Sequence, residues 1–330
     1  MESVSVSTEL LYSHRGHSDR FKSDYNVDFW REVRRRWLVF GVLLSVTAAV
    51  LAPAAGAPGG VLHSEYLRYV PLTYIYYCSG RHCRRAGGAC GGGGGGARLL
   101  LLCVLHAHVI APALTVLAAR AAGGGADHTL VRGAVLCMSG GCGWVSLALR
   151  PAPPAPALCA ALYLASLLAG PATTLLICGR ATIPPLGGIL STVLISTTPF
   201  LLGSLRQQEP NNNTTTTKLS ALLLLYMDCC ERLREAEGSM YVGDVLVTLA
   251  LVVWWVCSSA LCCWAYGRCG AVPAARAALL AVCAVPSCPD TGWISSAACS
   301  PRGLSRLPAV FIAPAQALLL AAVVDDGDER

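Results

Sequence analysis

Cys283-Ala-Val-Pro-Ser-Cys-Pro-Asp-Thr-Gly292 interrupts an otherwise apolar segment, Ala271 to Cys299, with two prolines and one acid, Asp290. Proline inside a helix removes a backbone hydrogen bond and clashes with the preceding turn. In lipid, backbone groups freed in this way are tolerated only where protein or a water-filled cavity satisfies them. A broken hydrophobic segment holding an ionisable residue therefore points to a binding site. The competing reading is a re-entrant or inter-helix surface loop with Asp290 solvated. The rest of the chain favours the site.

Of 330 residues, 54% are hydrophobic and 13% charged, with a mean hydropathy of +0.54. Charged residues make up about a quarter of a typical soluble domain. The class is an all-α, multi-span membrane protein, without the alternating short strands of an outer-membrane barrel. The net charge is +6, but the basic residues sit at segment ends and only Lys22 and Lys218 are lysines. That pattern encodes membrane orientation and excludes nucleic-acid binding. The 17 cysteines are scattered through apolar runs with no CxxC, so they read as small hydrophobes, not as a zinc site or disulfide framework. His106 and His108, two apart on a helix, point away from each other and make a poor metal pair.

Residues 1–36 form a polar, basic cytosolic tail ending in Arg34-Arg-Arg36, with no apolar run that would make a cleaved signal. The membrane domain is 37–324, and 325–330 is an acidic cytosolic tail. Roughly ten spans follow from apolar length. They are Trp37–Ala52, Leu67–Ser79, Leu99–Ala119, Val131–Arg150, Ala157–Cys178, Leu186–Leu205, Leu219–Cys230, Val242–Trp264, the broken Ala271–Cys299, and Leu304–Val324. The second span is short, and its tyrosines (Tyr66, Tyr69, Tyr74, Tyr76, Tyr77) read as an interfacial belt. Arg81 to Arg98, with glycine throughout 91–96, reads as a flexible linker. Loops on the amino-terminal side carry more Lys and Arg, which places both termini in the cytoplasm. The sequons at Asn212 and Asn213 then face the cytosol and stay unmodified. Asp228 and Asp244 lie at span ends and read as solvated caps.

Ten spans divide into five and five, and the fourth and ninth are the Gly/Pro-interrupted ones. The fourth carries Ser139 with Gly140, Gly141 and Gly143; the ninth carries Pro286 and Pro289. Corresponding breaks in two halves predict an inverted 5+5 repeat with two broken helices that cross at the binding site.

Several blocks then resemble the sodium/bile acid cotransporter family, solute carrier family 10, nearest its seventh-member branch. They are Leu51-Ala-Pro-Ala-Ala-Gly-Ala-Pro-Gly-Gly-Val-Leu62, Ser79-Gly80, Cys137-Met138, Pro171 to Gly179, Pro199 with Gly203, Arg268 to Pro273, Cys283 with Gly292, and Pro314-Ala-Gln316. The resemblance implies a ten-helix inverted repeat and, in the bile acid branch, sodium-coupled uptake of organic anions. The seventh-member branch is linked to calcium handling and secretory-pathway glycosylation. Departures lie at the breaks. A proline run of the branch is replaced by Ser139, Gly140 and Gly141, and a polar run of the ninth span by Ala284, Val285, Pro286, Ser287 and Cys288.

The expected function is a secondary transporter of a small solute, an organic anion by the family's example, coupled to Na+ or H+. Sodium needs several hard oxygen ligands. Asp290, Ser287, Thr291, Ser139 and Gln316 are the ion- or substrate-binding residues, with carbonyls freed by Pro286 and Pro289. No catalytic residue, metal centre or cofactor is expected beyond Na+ as coupling ion; the partners are the lipid bilayer and the solute. The location is the plasma membrane or a secretory-pathway membrane. The alternative is a transport-degenerate membrane protein with a regulatory role in calcium handling or the secretory pathway. An intramembrane enzyme is disfavoured, because the spans hold a single acid without a partner.

Overall fold

The computed structural model describes residues 36–61, 67–90, 101–121 apart from Cys103, 186–206, 214–236, 241–268 and 307–327, with isolated helical positions elsewhere. All regular structure among the described residues is helical. In chain order the elements are α1 (Trp37–Leu51), α2 (Pro53–Gly56), α3 (Tyr69–Cys90), a π-helical turn (His106–Ile110) leading into α4 (Ala111–Ala121), α5 (Leu186–Leu205), α6 (Thr214–Ala236), α7 (Val242–Arg268) and α8 (Leu307–Gly327).

Local chemistry sets several of these boundaries. Pro53 forbids helical geometry at the residue before it, and Ala52 has left the helix, with φ −136° and ψ 60°. The same proline, fixed in φ and lacking an N–H, then starts α2. Gly59, at φ 87°, supplies the left-handed residue that turns the chain after it. The sixth span of the sequence coincides with α5. Two expectations need correction. α3 runs on through Arg81, Arg84 and Arg85 to Cys90, where the sequence predicts a linker: arginine is a good helix former. α6 likewise exceeds its expected span at both ends, taking in Thr214–Lys218 and Glu231–Ala236.

The helices bury two apolar cores. Leu38, Val42 and Ala49 of α1, Leu72, Ile75 and Tyr76 of α3, and Leu224, Leu225 and Cys229 of α6 make the first, with Ala313 and Ala317 of α8. The spacings of three, four and seven place each set on one helical face. Tyr76, expected in an interfacial belt, thus lies in a core, while Tyr69 is exposed. Ala111 of α4, Leu251, Val252 and Trp255 of α7, and Leu307 and Ile312 of α8 make the second core. α8 contributes to both.

Two helix pairs are drawn together closely. α1 and α6 run parallel: Lys218 stands 5.9 Å from the Trp37 ring at one end, and Arg234 donates to the Pro58 carbonyl at 2.9 Å at the other. α3 and α5 meet backbone to backbone at Gly80 and Gly203. A Cβ on Gly80 would overlap the Phe200 carbonyl, and one on Gly203 would overlap that of Tyr77. Each glycine therefore rests on the carbonyl three residues before the other, an approach that a larger residue forbids.

Large apolar side chains cover the outside. Leu44, Leu202, Val253 and Trp264 are all more than half exposed. One described helix, Val242–Tyr266, is long and apolar enough to cross a membrane by length and composition; Trp37–Leu51, His108–Ala121 and Leu194–Leu205 are shorter apolar helices.

Candidate functional site

Of the residues expected to bind ion or substrate, the structure describes Gln316. Asp290, Ser287, Thr291 and Ser139 lie outside the described residues, as do the helix-break positions Gly140, Gly141, Gly143, Pro286 and Pro289. Gln316 sits on α8, two residues after Pro314, which has no N–H to offer the Val310 carbonyl. Its side chain is buried, and Nε2 makes no hydrogen bond among the described residues. Leaving a buried polar group unpaired costs roughly 1–3 kcal/mol. A carboxamide offers an oxygen to a cation and two N–H groups to an anion, so this position is chemically suited to a polar ligand.

A second polar group lies between α4 and α7, which run antiparallel. The Trp254 indole donates to the Leu114 carbonyl at 3.3 Å. Eight residues earlier on the same strand of helix, His106 Nε2 lies 3.4 Å from the Ser259 hydroxyl. The Tyr266 ring meets the His106 ring edge-on, with centroids 6.2 Å apart. Both His106 and His108 are buried, and Nδ1 of each is without a hydrogen bond among the described residues. The π turn His106–Ile110 has a local cause. Pro112 cannot donate to the His108 carbonyl and would clash with it in a regular helix, and the turn widens just ahead of it, with Ala111 N–H bonding back to the His106 carbonyl. The sequence showed the two histidines and Pro112 four residues after the second, but not that both rings are buried.

The third group corrects an expectation. Asp228 is no solvated cap: it is 1% exposed. Arg68, just ahead of α3, spans Asp228 at 2.8 Å and Glu231 at 2.9 Å, while Arg232 stands 3.8 Å from the other Asp228 oxygen. Asp228 and Glu231 share a helical face through their spacing of three, a signal present in the sequence. Their common partner, 160 positions away, was not. Asp244, in the first turn of α7, is part-exposed at the helix end that favours an acid. Among the described residues no group of three or more His, Cys, Asp and Glu could hold a metal ion.

No protein-family model matches the chain. Sodium/bile acid cotransporter 7 of Danio rerio is 41% identical over 49 residues, 14% of this chain and 15% of that protein. The likeness is thus to a transporter, and it is confined to a short segment of both chains.

Proposed function

We propose that this chain is a multi-pass membrane secondary transporter that moves a small solute, an organic anion as the favoured class, with Na+ or H+ coupling. The segment alike to the Danio rerio cotransporter carries the transport part of the reading. The membrane part rests on the inside-out arrangement of side chains, with Leu44, Leu202 and Trp264 outside and Gln316, Asp228 and His106 inside.

The neighbour relations support an inverted repeat of five and five spans. Exchanging the two halves carries α1 onto α5 and α6 onto α3. The pair α1 and α6 thereby becomes the pair α5 and α3, and both are packed pairs. The same exchange returns the α3–α6 and α4–α7 contacts to themselves. In this reading the broken fourth and ninth spans cross beside α8. Asp290 is the ion ligand or proton carrier, Ser287, Thr291 and Ser139 supply hydroxyl oxygens, and Gln316 supplies its carboxamide. Gly140, Gly141 and Gly143 allow the close crossing. Both termini are cytosolic, and the host membrane is the plasma membrane or one of the secretory pathway.

The alternative, a transport-degenerate protein with a regulatory role in calcium handling or the secretory pathway, is favoured by one observation. Ala284, Val285 and Cys288 stand in the ninth span where oxygen-bearing residues would complete an ion site.

The test is thermal stability of the purified chain across a sodium series at constant ionic strength, with Asp290→Asn alongside. An ion at 100 times its dissociation constant stabilises the folded state by about 2.7 kcal/mol. The transporter reading expects a rise for wild type that Asp290→Asn lacks. If neither sodium nor pH moves the two proteins differently, the degenerate reading replaces it.

A further inference from the structure

We propose that His106, on the seam between α4 and α7, and His108, buried on the same π turn, are a pair of proton-binding groups. Their role in coupling rests on the transporter reading; their proton binding does not. Three observations meet there. His106 and His108 are 1% and 7% exposed, and Nδ1 of each is without a hydrogen bond among the described residues. Both sit on the π turn that Pro112 imposes, a kind of irregularity that recurs at functional positions in helices. On the facing helix, Ser259 at 3.4 Å and Tyr266 edge-on are groups that can pass or share a proton.

A neutral imidazole has one donor and one acceptor nitrogen. With Nε2–H donating to Ser259 Oγ, the His106 Nδ1 lone pair is left to take a proton from a hydronium ion: one O–H bond breaks as one N–H bond forms, leaving water and an imidazolium. The titratable groups facing it from α7 are Tyr266 and, one turn from Ser259, Cys262. That helix carries no Asp, Glu, Lys or Arg from Val245 to Gly267. α4 carries none before Arg120, and α8 none from Leu307 to Val324. An imidazolium sealed in this seam would lack a counter-charge on any of these helices, and such burial is costly. On α4, α7 and α8, therefore, nothing offsets a proton taken up in a closed seam. Protonation opens the seam, and Tyr266, part-exposed two turns beyond Ser259 on α7, marks the side from which the proton enters.

The experiment compares thermal midpoints of full-length wild type, His106→Gln and His108→Gln in detergent between pH 8 and pH 5. Each histidine that protonates only on opening changes the closed-to-open ratio by roughly tenfold per pH unit below its opened-state pKa. The wild-type midpoint should fall as pH drops, and each glutamine variant should remove part of that fall. A constant offset between wild type and both variants at every pH overturns the proposal. If the variants do not fold, ring nitrogen-15 spectra of a chain with its other five histidines replaced decide (seven less two). Imidazoles that turn cationic as pH falls uphold the site; imidazoles neutral throughout, up to global unfolding, overturn it. Neither readout requires transport, so failure here leaves the sodium test standing.

Discussion

Asp228→Asn should destabilise the chain far more than Glu231→Gln, although both acids hold the same arginine. The Asp228 side chain is 2% exposed, that of Arg68 22% and that of Glu231 29%. Removing one member of a buried ion pair typically costs about 3–5 kcal/mol, because the other charge is stranded. Here Glu231 keeps hold of the guanidinium, and its partial exposure admits water. The expected cost of Asp228→Asn is therefore the lower end, about 3 kcal/mol. Glu231 pairs at a wetter position, where exchange to glutamine costs about 0.2–1 kcal/mol. A double replacement, Asp228→Leu with Arg68→Met, removes both charges and should recover much of the loss. The assay is thermal unfolding of the purified chain in detergent, with wild type, Asp228→Asn, Glu231→Gln, Asp228→Leu, Arg68→Met and the paired replacement side by side. If Asp228→Asn is no worse than Glu231→Gln, or if the paired replacement is as damaging as the sum of its single changes, the buried pair does not tie α3 to α6.

Alanine at Gly80 or at Gly203 should each cost about 1–3 kcal/mol, since the new methyl meets a backbone carbonyl that cannot move aside. Gly243→Ala, where nothing lies within 4 Å, should cost nothing in the same unfolding assay. Leu44→Lys, in the middle of α1 and 70% exposed, should lower membrane insertion, because a lysine at a span centre costs about 2.5–3.5 kcal/mol. Unchanged insertion, with better solubility, would show that this face meets water.

The helices were legible where apolar runs and breakers agree. α5 begins and ends where the sequence placed the sixth span, and α1 stops at Leu51, one residue short of the expected end, with Ala52 already out of helical geometry. Boundaries failed where polar residues continue a helix beyond its apolar stretch, as Arg81 to Cys90 do in α3 and Glu231 to Ala236 do in α6. Hydropathy marks what lipid accepts, and a helix can outrun it. Asp228 was misread for a different reason: its partner Arg68 is supplied by tertiary packing, which no local pattern encodes. The burial of His106 and His108, and the packing of His106 against α7, come from tertiary contacts that the local spacing of the two histidines does not encode. Of the residues expected to bind ion or substrate, Gln316, named from the resemblance at Pro314-Ala-Gln316, is the one described, and it is buried with Nε2 making no hydrogen bond among the described residues.

The inverted repeat requires that the loop before α6 and the loop after α1 lie on opposite sides of one membrane. Glycan mapping in cells tests this directly, because Asn212 and Asn213 already carry acceptor sequons. The account predicts no glycan on the native chain and a glycan on a chain with an acceptor inserted after Gly60, between α2 and α3. A glycan at Asn212 or Asn213, with none at the inserted acceptor, would contradict the predicted orientation; glycans at both would remove the parity on which the two inverted halves depend.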